Sequence, residues 1–264
     1  MIDGVLDPPV LSDVTDGVMT ITLNRPRRKN AMGPAGWAAL YDAVRAAAYD
    51  DAVRAVVVTG AERTFCAGAD ISGAPVGHPV TRVRNISRTA EALYSLAKPT
   101  VAKVEGHAVG AGWNLALCCD LVVTADDAKF SQIFAKRALS LDFGGSWLLP
   151  RLAGLQQAKR LAFLSELVSA QEAKELGLAT WVVAPDEIDA FVDDLAERLA
   201  QMPPIAVAQN KELLNAGMVL PMREALDSEA RAQAVNYATD DAPAARRAFQ
   251  EKTEATFTGE WSIR

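Results

Sequence analysis

Two stretches of small residues, each entered from a β-branched run, constrain this chain more than anything else in it. Thr64-Phe65-Cys66-Ala67-Gly68-Ala69-Asp70-Ile71 follows Ala55-Val56-Val57-Val58-Thr59-Gly60. Gly106-His107-Ala108-Val109-Gly110-Ala111-Gly112-Trp113-Asn114 follows Thr100-Val101-Ala102-Lys103-Val104. The two runs read as strands, and the Gly and Ala after them let another group approach bare backbone. Beyond Gly112 the apolar spacing turns helical through Leu115, Ala116 and Leu117. The first N–H groups of a helix lack intrahelical partners and favour negative charge. Two such openings predict a pair of N–H donors around one developing oxyanion. Tight strand–helix turns without a ligand are the bland alternative.

In chain order, Val18–Leu23 alternates as a half-buried strand and Asn24-Arg25-Pro26 ends it. Gly33-Pro34 opens a helix that places Trp37, Leu40, Tyr41, Val44 and Ala48 on one face. Ala55–Thr59 is apolar enough for burial on both faces. Ser72–Pro79 reads as a Gly- and Pro-rich loop, then Val83, Ile86, Ala90, Leu93 and Leu96 mark a helix stopped at Lys98-Pro99. A further strand covers Leu121–Thr124. Strands alternating with helices give an α/β class, and periodicity alone favours a doubly wound sheet. From about residue 185 the pattern is helical only: Ile188, Phe191, Val192, Leu195 and Leu199, then segments 204–217, 221–238 and 242–257. No low-complexity linker separates it, so 1–184 reads as a core and 185–264 as a packed helical extension.

With 264 residues, half of them apolar, the chain has material for a sizeable core. A net charge of −6 argues against a general nucleic-acid binder, although Arg25, Arg27, Arg28 and Lys29 make a local basic cluster. That cluster is either a solvated turn or a seat for phosphate. Three cysteines, Cys66, Cys118 and Cys119, give no disulfide framework, and His78 and His107 lack the spaced neighbours a metal site needs. Met1–Asp7 has no signal-peptide pattern, and the apolar run 108–125 is broken by Asn114 and Asp120, so neither export nor a membrane span is expected. The expected location is cytoplasmic.

Phe65-Cys66-Ala67-Gly68-Ala69-Asp70-Ile71, Gly106 through Gly112 and Cys119-Asp120-Leu121 together resemble the crotonase superfamily, the enoyl-CoA hydratase/isomerase family. Leu23-Asn24-Arg25-Pro26, Lys29-Asn30-Ala31, Leu149-Pro150-Arg151-Leu152-Ala153-Gly154 and Phe249-Gln250-Glu251-Lys252 fit it in the same order. The resemblance covers nearly the whole chain. It implies a crotonase-like spiral of strand-strand-helix turns, preferred here to the doubly wound sheet, with an all-helical C-terminal trimerisation extension. It implies an acyl-CoA thioester as substrate, no cofactor besides that coenzyme A, and a homotrimer or a hexamer.

The resemblance also assigns roles. Ala69 and Ala111 match the two backbone N–H donors that stabilise a thioester enolate. Family hydratases carry two glutamates, at positions that are Asn114 and Phe134 here, and neither replacement can act as a general base. Eight residues past Phe134 stands Asp142, where family isomerases carry a catalytic aspartate and dehalogenases a nucleophile. Leu141, Phe143 and Trp147 beside it would desolvate the carboxyl and raise its pKa. Read locally, Asp142 is as good an N-cap for a helix starting near Ser146-Trp147. Matching positions for coenzyme A are Arg28, Lys29, Ala31, Ala67, Gly68, Asp70 and Ile71, with Phe249 and Lys252 reaching in from a neighbouring subunit. Ser72 stands where relatives often carry lysine. Asn114 is expected to bond the site and Phe134 to wall the acyl pocket.

Two other classes match parts of the pattern. Gly106-x-x-x-Gly110-x-Gly112 with Tyr94-x-x-x-Lys98 imitates a short-chain dehydrogenase, but the glycines come too late and the Tyr–Lys pair precedes them. A non-catalytic acyl-CoA binder survives better. The expectation is an enoyl-CoA isomerase using Asp142, with a hydratase as runner-up.

Overall fold

The computed structural model describes residues 7–73 and 77–262. The N-terminal reading of residues 1–6 and the centre of the 72–79 loop, residues 74–76, lie outside the described residues.

Strands β1 (Val10–Thr15), β2 (Val18–Leu23), β3 (Ala55–Gly60), β4 (Thr100–Val104), β6 (Leu121–Ala125) and β9 (Trp181–Val183) form one sheet in the order β1-β2-β3-β4-β6-β9. Only the β1–β2 hairpin in it is antiparallel. A second, smaller sheet holds β5 (His107–Val109), β7 (Lys129–Ser131) and β8 (Val168–Ser169) in the order β5-β7-β8. The chain steps from one sheet to the other within each turn. β4 leads directly to β5 and then helix α3 (Ala111–Leu117); β6 leads to β7 and then α4 (Gly145–Leu152) and α5 (Leu155–Leu164). The first turn follows the same course, because Cys66 after β3 bridges Ala108 of the second sheet before helix α2 (Pro79–Tyr94) begins. This is the spiral of strand-strand-helix turns, and it excludes the doubly wound alternative that periodicity alone favoured.

The β-branched interior of β3 is buried along five residues because helices cover both faces of the sheet. On one side, α1 (Pro34–Tyr49) buries Trp37, Leu40, Val44 and Ala47. Ala48, expected on that face, is exposed: the stripe follows the i, i+3, i+4 rows through Ala47. On the other side, Ile188, Val192, Leu195 and Ala196 of α7 (Ile188–Gln201) pack on Val57, Val101, Val123 and Ala125. The first helix after residue 185 is therefore a layer of the core.

Short α6 (Ala170–Glu175) precedes β9, and α8 (Pro204–Gly217), α9 (Met222–Tyr237) and α10 (Asp241–Glu251) complete the chain. The last helix stops at Glu251 rather than continuing to 257, because Lys252 turns left-handed at φ 56°. The segment after it folds back, with Thr258 and Gly259 N–H donating to the Asp241 carboxylate. Large apolar side chains on α8 and α9 stay exposed, among them Leu214, Met222 and Leu226, with Met218 exposed at the α8 C-cap. Among the described residues no helix is long and apolar enough to cross a membrane.

Candidate active site

The two small-residue stretches meet. Met32 donates to the Gly68 carbonyl and accepts from Asp70 N–H, at 2.8 and 3.0 Å, so the N–H of Ala69 points to the opposite edge. Ala67 N–H donates to the Lys29 carbonyl at 2.9 Å, which ties this loop to the basic turn at Pro26–Arg28. The second turn is held from below: Gly110 N–H donates to the Ser131 carbonyl at 2.8 Å, and Gly110 then N-caps α3, leaving Ala111 N–H at the first helical position. Gly68, at φ 91°, lies so close that a Cβ there would stand 2.6 Å from the Val109 carbonyl oxygen and 3.6 Å from Ala111 N. Gly112 lets α3 start against the first stretch, since a Cβ on it would meet the Cys66 carbonyl oxygen at 2.2 Å. The two stretches, one bearing Ala69 N–H and the other Ala111 N–H, thus pack side by side.

Asp142 is tied to this pair through Asn114, one helical turn beyond Ala111. The buried Asn114 side chain donates from Nδ2 to the Asp142 main-chain carbonyl at 2.9 Å and accepts at Oδ1 from Gln132 Nε2 at 2.9 Å. The Asp142 carboxyl does not cap a helix: α4 starts at Gly145, its N-cap is Gly144, and no side chain bonds there. Oδ1 of Asp142 is buried without a partner, and burial pushes the carboxyl up to about 6. The segment after it is left-handed at two successive residues, Phe143 at φ 48° and Gly144 at φ 78°. A bulky residue in that region is strained, and such strain gathers at functional sites. Phe143 is anchored by its ring, 5.0 Å from that of Trp37. Trp147 instead packs on Tyr94 and under the Arg151 guanidinium.

Phe134 is buried, and a Cβ on Gly110 would lie 3.5 Å from its ring, so it walls the second turn. Arg28 and Lys29 are exposed beside the first loop, and Ile71 is exposed at its end. Asp70 accepts from the Ser72 hydroxyl and N–H and from Arg25, which together hold its carboxyl at about 2. It is a structural anion, with Arg25 also donating to the Ala31 carbonyl. The fold of one chain brings Arg28, Lys29, Ala31, Ala67, Gly68, Asp70 and Ile71 together. It does not bring Phe249 or Lys252 to them: Phe249 is 86% exposed on α10. His78 caps α2, accepting at Nδ1 from Val80 N–H. The three cysteines are free and buried; burial pushes Cys66 and Cys118 up to about 12 and Cys119 higher still, so none is a ready nucleophile.

Sequence reasoning missed Gln132. Its only signal was a polar side chain beside Ser131 between Phe130 and Phe134, with no spaced partner to give it meaning.

A sequence profile described as "Enoyl-CoA hydratase/isomerase" matches residues 13–260. The chain is 36% identical over 258 residues to the 1,2-epoxyphenylacetyl-CoA isomerase of Escherichia coli K12, covering 95% of this chain and 98% of that protein. It is 32% identical over 253 residues to the crotonyl-CoA hydratase of Syntrophomonas wolfei, covering 94% of this chain and 97% of the relative. Among solved structures, the enoyl-CoA hydratase of Bacillus anthracis superposes with a TM-score of 0.91 at 33% identity, over 96% of this chain and 100% of that one.

Proposed function

The chain belongs to the enoyl-CoA hydratase/isomerase family, and within it we propose that it is an enoyl-CoA double-bond isomerase in which Asp142 moves the proton. One observation supports this most directly. A half-buried carboxyl with one buried, unpartnered oxygen and a pKa pushed up to about 6 lies on a segment tied by its main chain to Asn114, while positions 114 and 134 hold no base.

On this reading the thioester oxygen of a 3-enoyl-CoA sits between Ala69 N–H and Ala111 N–H. The Asp142 carboxylate removes a proton from C2, and the electron pair passes into the C–C–O system as an enolate that the two N–H groups stabilise. The protonated carboxyl then returns the proton to C4 while the double bond settles between C2 and C3. One carboxyl serves both steps, and a raised pKa suits a group that must take and give the same proton near neutrality. The E. coli relative's name, an acyl-CoA isomerase, supports the same side of the family.

Several names in the family favour a second reading, an enoyl-CoA hydratase, which would need a base other than residues 114 and 134. A binder without turnover is a third. Arg28 and Lys29 are proposed to hold the phosphates of coenzyme A, the only cofactor-like group required. The exposed apolar residues of α8 and α9 suit burial between copies in a trimer or hexamer, with Phe249 and Lys252 then closing a neighbour's site. The cytoplasm is the proposed location.

Wild type and Asp142→Asn are offered a 3-enoyl-CoA and a 2-enoyl-CoA separately. The isomerase reading expects conversion of the 3-enoyl substrate, falling ~10²–10⁴-fold in the variant. Hydration of the 2-enoyl substrate that survives the substitution would overturn it in favour of the hydratase. Coenzyme A binding with no turnover of either would favour the binder.

A further inference from the structure

We propose that Gln132 and Asn114 are positioning residues whose side-chain amides form a directional relay that fixes the Asp142 segment against the oxyanion turns. The proposal rests on the reading of Asp142 as the base.

Both side chains are fully buried. The direction of the relay is set at its far end. A main-chain carbonyl only accepts, so Asn114 must present Nδ2 to Asp142, at 2.9 Å, which leaves Oδ1 to accept from Gln132 Nε2, also at 2.9 Å. The main chain of Gln132 is itself fixed: its backbone carbonyl accepts from the buried Ser165 hydroxyl at 2.7 Å. Its neighbour Ser131 holds the second oxyanion turn by accepting from Gly110 N–H. Two successive residues at the end of β7 therefore hold the two halves of the site, one by main chain and one by side chain.

Satisfying polar groups does not explain the arrangement. The Asp142 carbonyl already accepts from Gly145 N–H at 2.9 Å. The relay, moreover, leaves Gln132 Oε1 buried without a partner, which costs stability that an apolar residue would not. The structure also makes room for the relay from the other side: a Cβ on Gly145 would stand 2.4 Å from Asn114 Nδ2. Among the described residues, burial is the cause that raises the Asp142 carboxyl, with no charged neighbour contributing. Its ionisation thus reports how closely the surrounding segment is held.

The test uses Gln132→Met, which keeps the volume and removes the donor, and Gly145→Ala, which displaces Asn114 without altering it. Carbon-13 NMR of the Asp142 carboxyl, assigned with Asp142→Asn, gives its titration midpoint whether or not the enzyme turns over. The expected result in either variant is a midpoint moved down from about 6 toward the ordinary carboxylate range, as water reaches the loosened segment. On a 3-enoyl-CoA, kcat should fall roughly ten- to a hundredfold with KM changed less than about twofold. In the Asp142→Asn background neither variant should lower the residual rate further. A folded Gln132→Met with an unmoved midpoint and unchanged kcat would overturn the relay, as would an equal loss in both backgrounds. Should Asp142→Asn prove fully active, the isomerase reading fails, and the NMR midpoint still decides whether Gln132 and Asn114 hold Asp142.

Discussion

Replacing Asp142 by asparagine should make the protein more stable at neutral pH while removing its activity. The magnitude follows from burial. The carboxyl is raised from 3.8 to about 6, a difference worth roughly 3 kcal/mol between its neutral and ionised forms. Because the folded-state pKa lies above the unfolded one, the folded protein holds this proton more tightly. The resulting stabilisation is complete below 3.8 and is lost as pH rises through about 6. At pH 7 and above, wild type bears the whole cost of an ionised, half-buried carboxylate, and the amide does not.

The assay is denaturant unfolding of both proteins, at one protein concentration, in steps from pH 4 to pH 8. The stability of Asp142→Asn relative to wild type should climb by up to ~3 kcal/mol across that range and then level off. In a melting experiment this corresponds to roughly 6 °C for a chain of this size. Any constant effect of exchanging an oxygen for an amide nitrogen cancels, since only the pH dependence is read. Wild-type kcat/KM should fall on the acid side of about pH 6, losing about tenfold by pH 5, because the base must be ionised to take the C2 proton. A stability difference flat with pH, or one that shrinks as pH rises, would mean the carboxylate is solvated or paired, and the argument for a buried base would fail.

Two further outcomes test the turns around it. Gly68→Ala puts a Cβ 2.6 Å from the Val109 carbonyl oxygen on a residue at φ 91°, so the Ala69 N–H must move; kcat should drop ~10²–10³-fold, and full activity would contradict the proposed donor. A thiol reagent should count none of the three cysteines in the native protein at pH 8 and all three in denaturant; rapid reaction of Cys66 when folded would refute its burial.

How much of this was legible depended on how local the cause was. A β-branched run followed by Gly and Ala is strand then turn by neighbouring chemistry alone, so β3, β4 and the start of α3 follow from sequence. Which face α1 buries turns on a one-residue choice between Ala47 and Ala48, and the packing partner decides it. Asp142 was ambiguous for a physical reason: a carboxylate before a helix and a desolvated base look alike until the backbone is seen. The left-handed pair at Phe143 and Gly144 separates Asp142 from α4, whose N-cap is Gly144 with no side-chain bond. Gln132 acts through a residue 18 positions away, and no spacing rule joins the two.

The division between main chain and side chain explains how one fold supports different proton chemistry. Both small-residue turns are held by backbone bonds, Met32 to Gly68, Ala67 to Lys29 and Gly110 to Ser131, so exchanging side chains at 114 or 134 leaves them intact. Position 114 is then open to a holding amide and position 134 to an apolar wall, and on the proposed reading the proton would pass to a carboxyl on the next segment. Removing Asp142 should cost the proton transfer and leave the turns standing. Gly112 is different in kind: a side chain there would strike the Cys66 carbonyl and drive the two stretches apart, and with them the proposed donors Ala69 and Ala111.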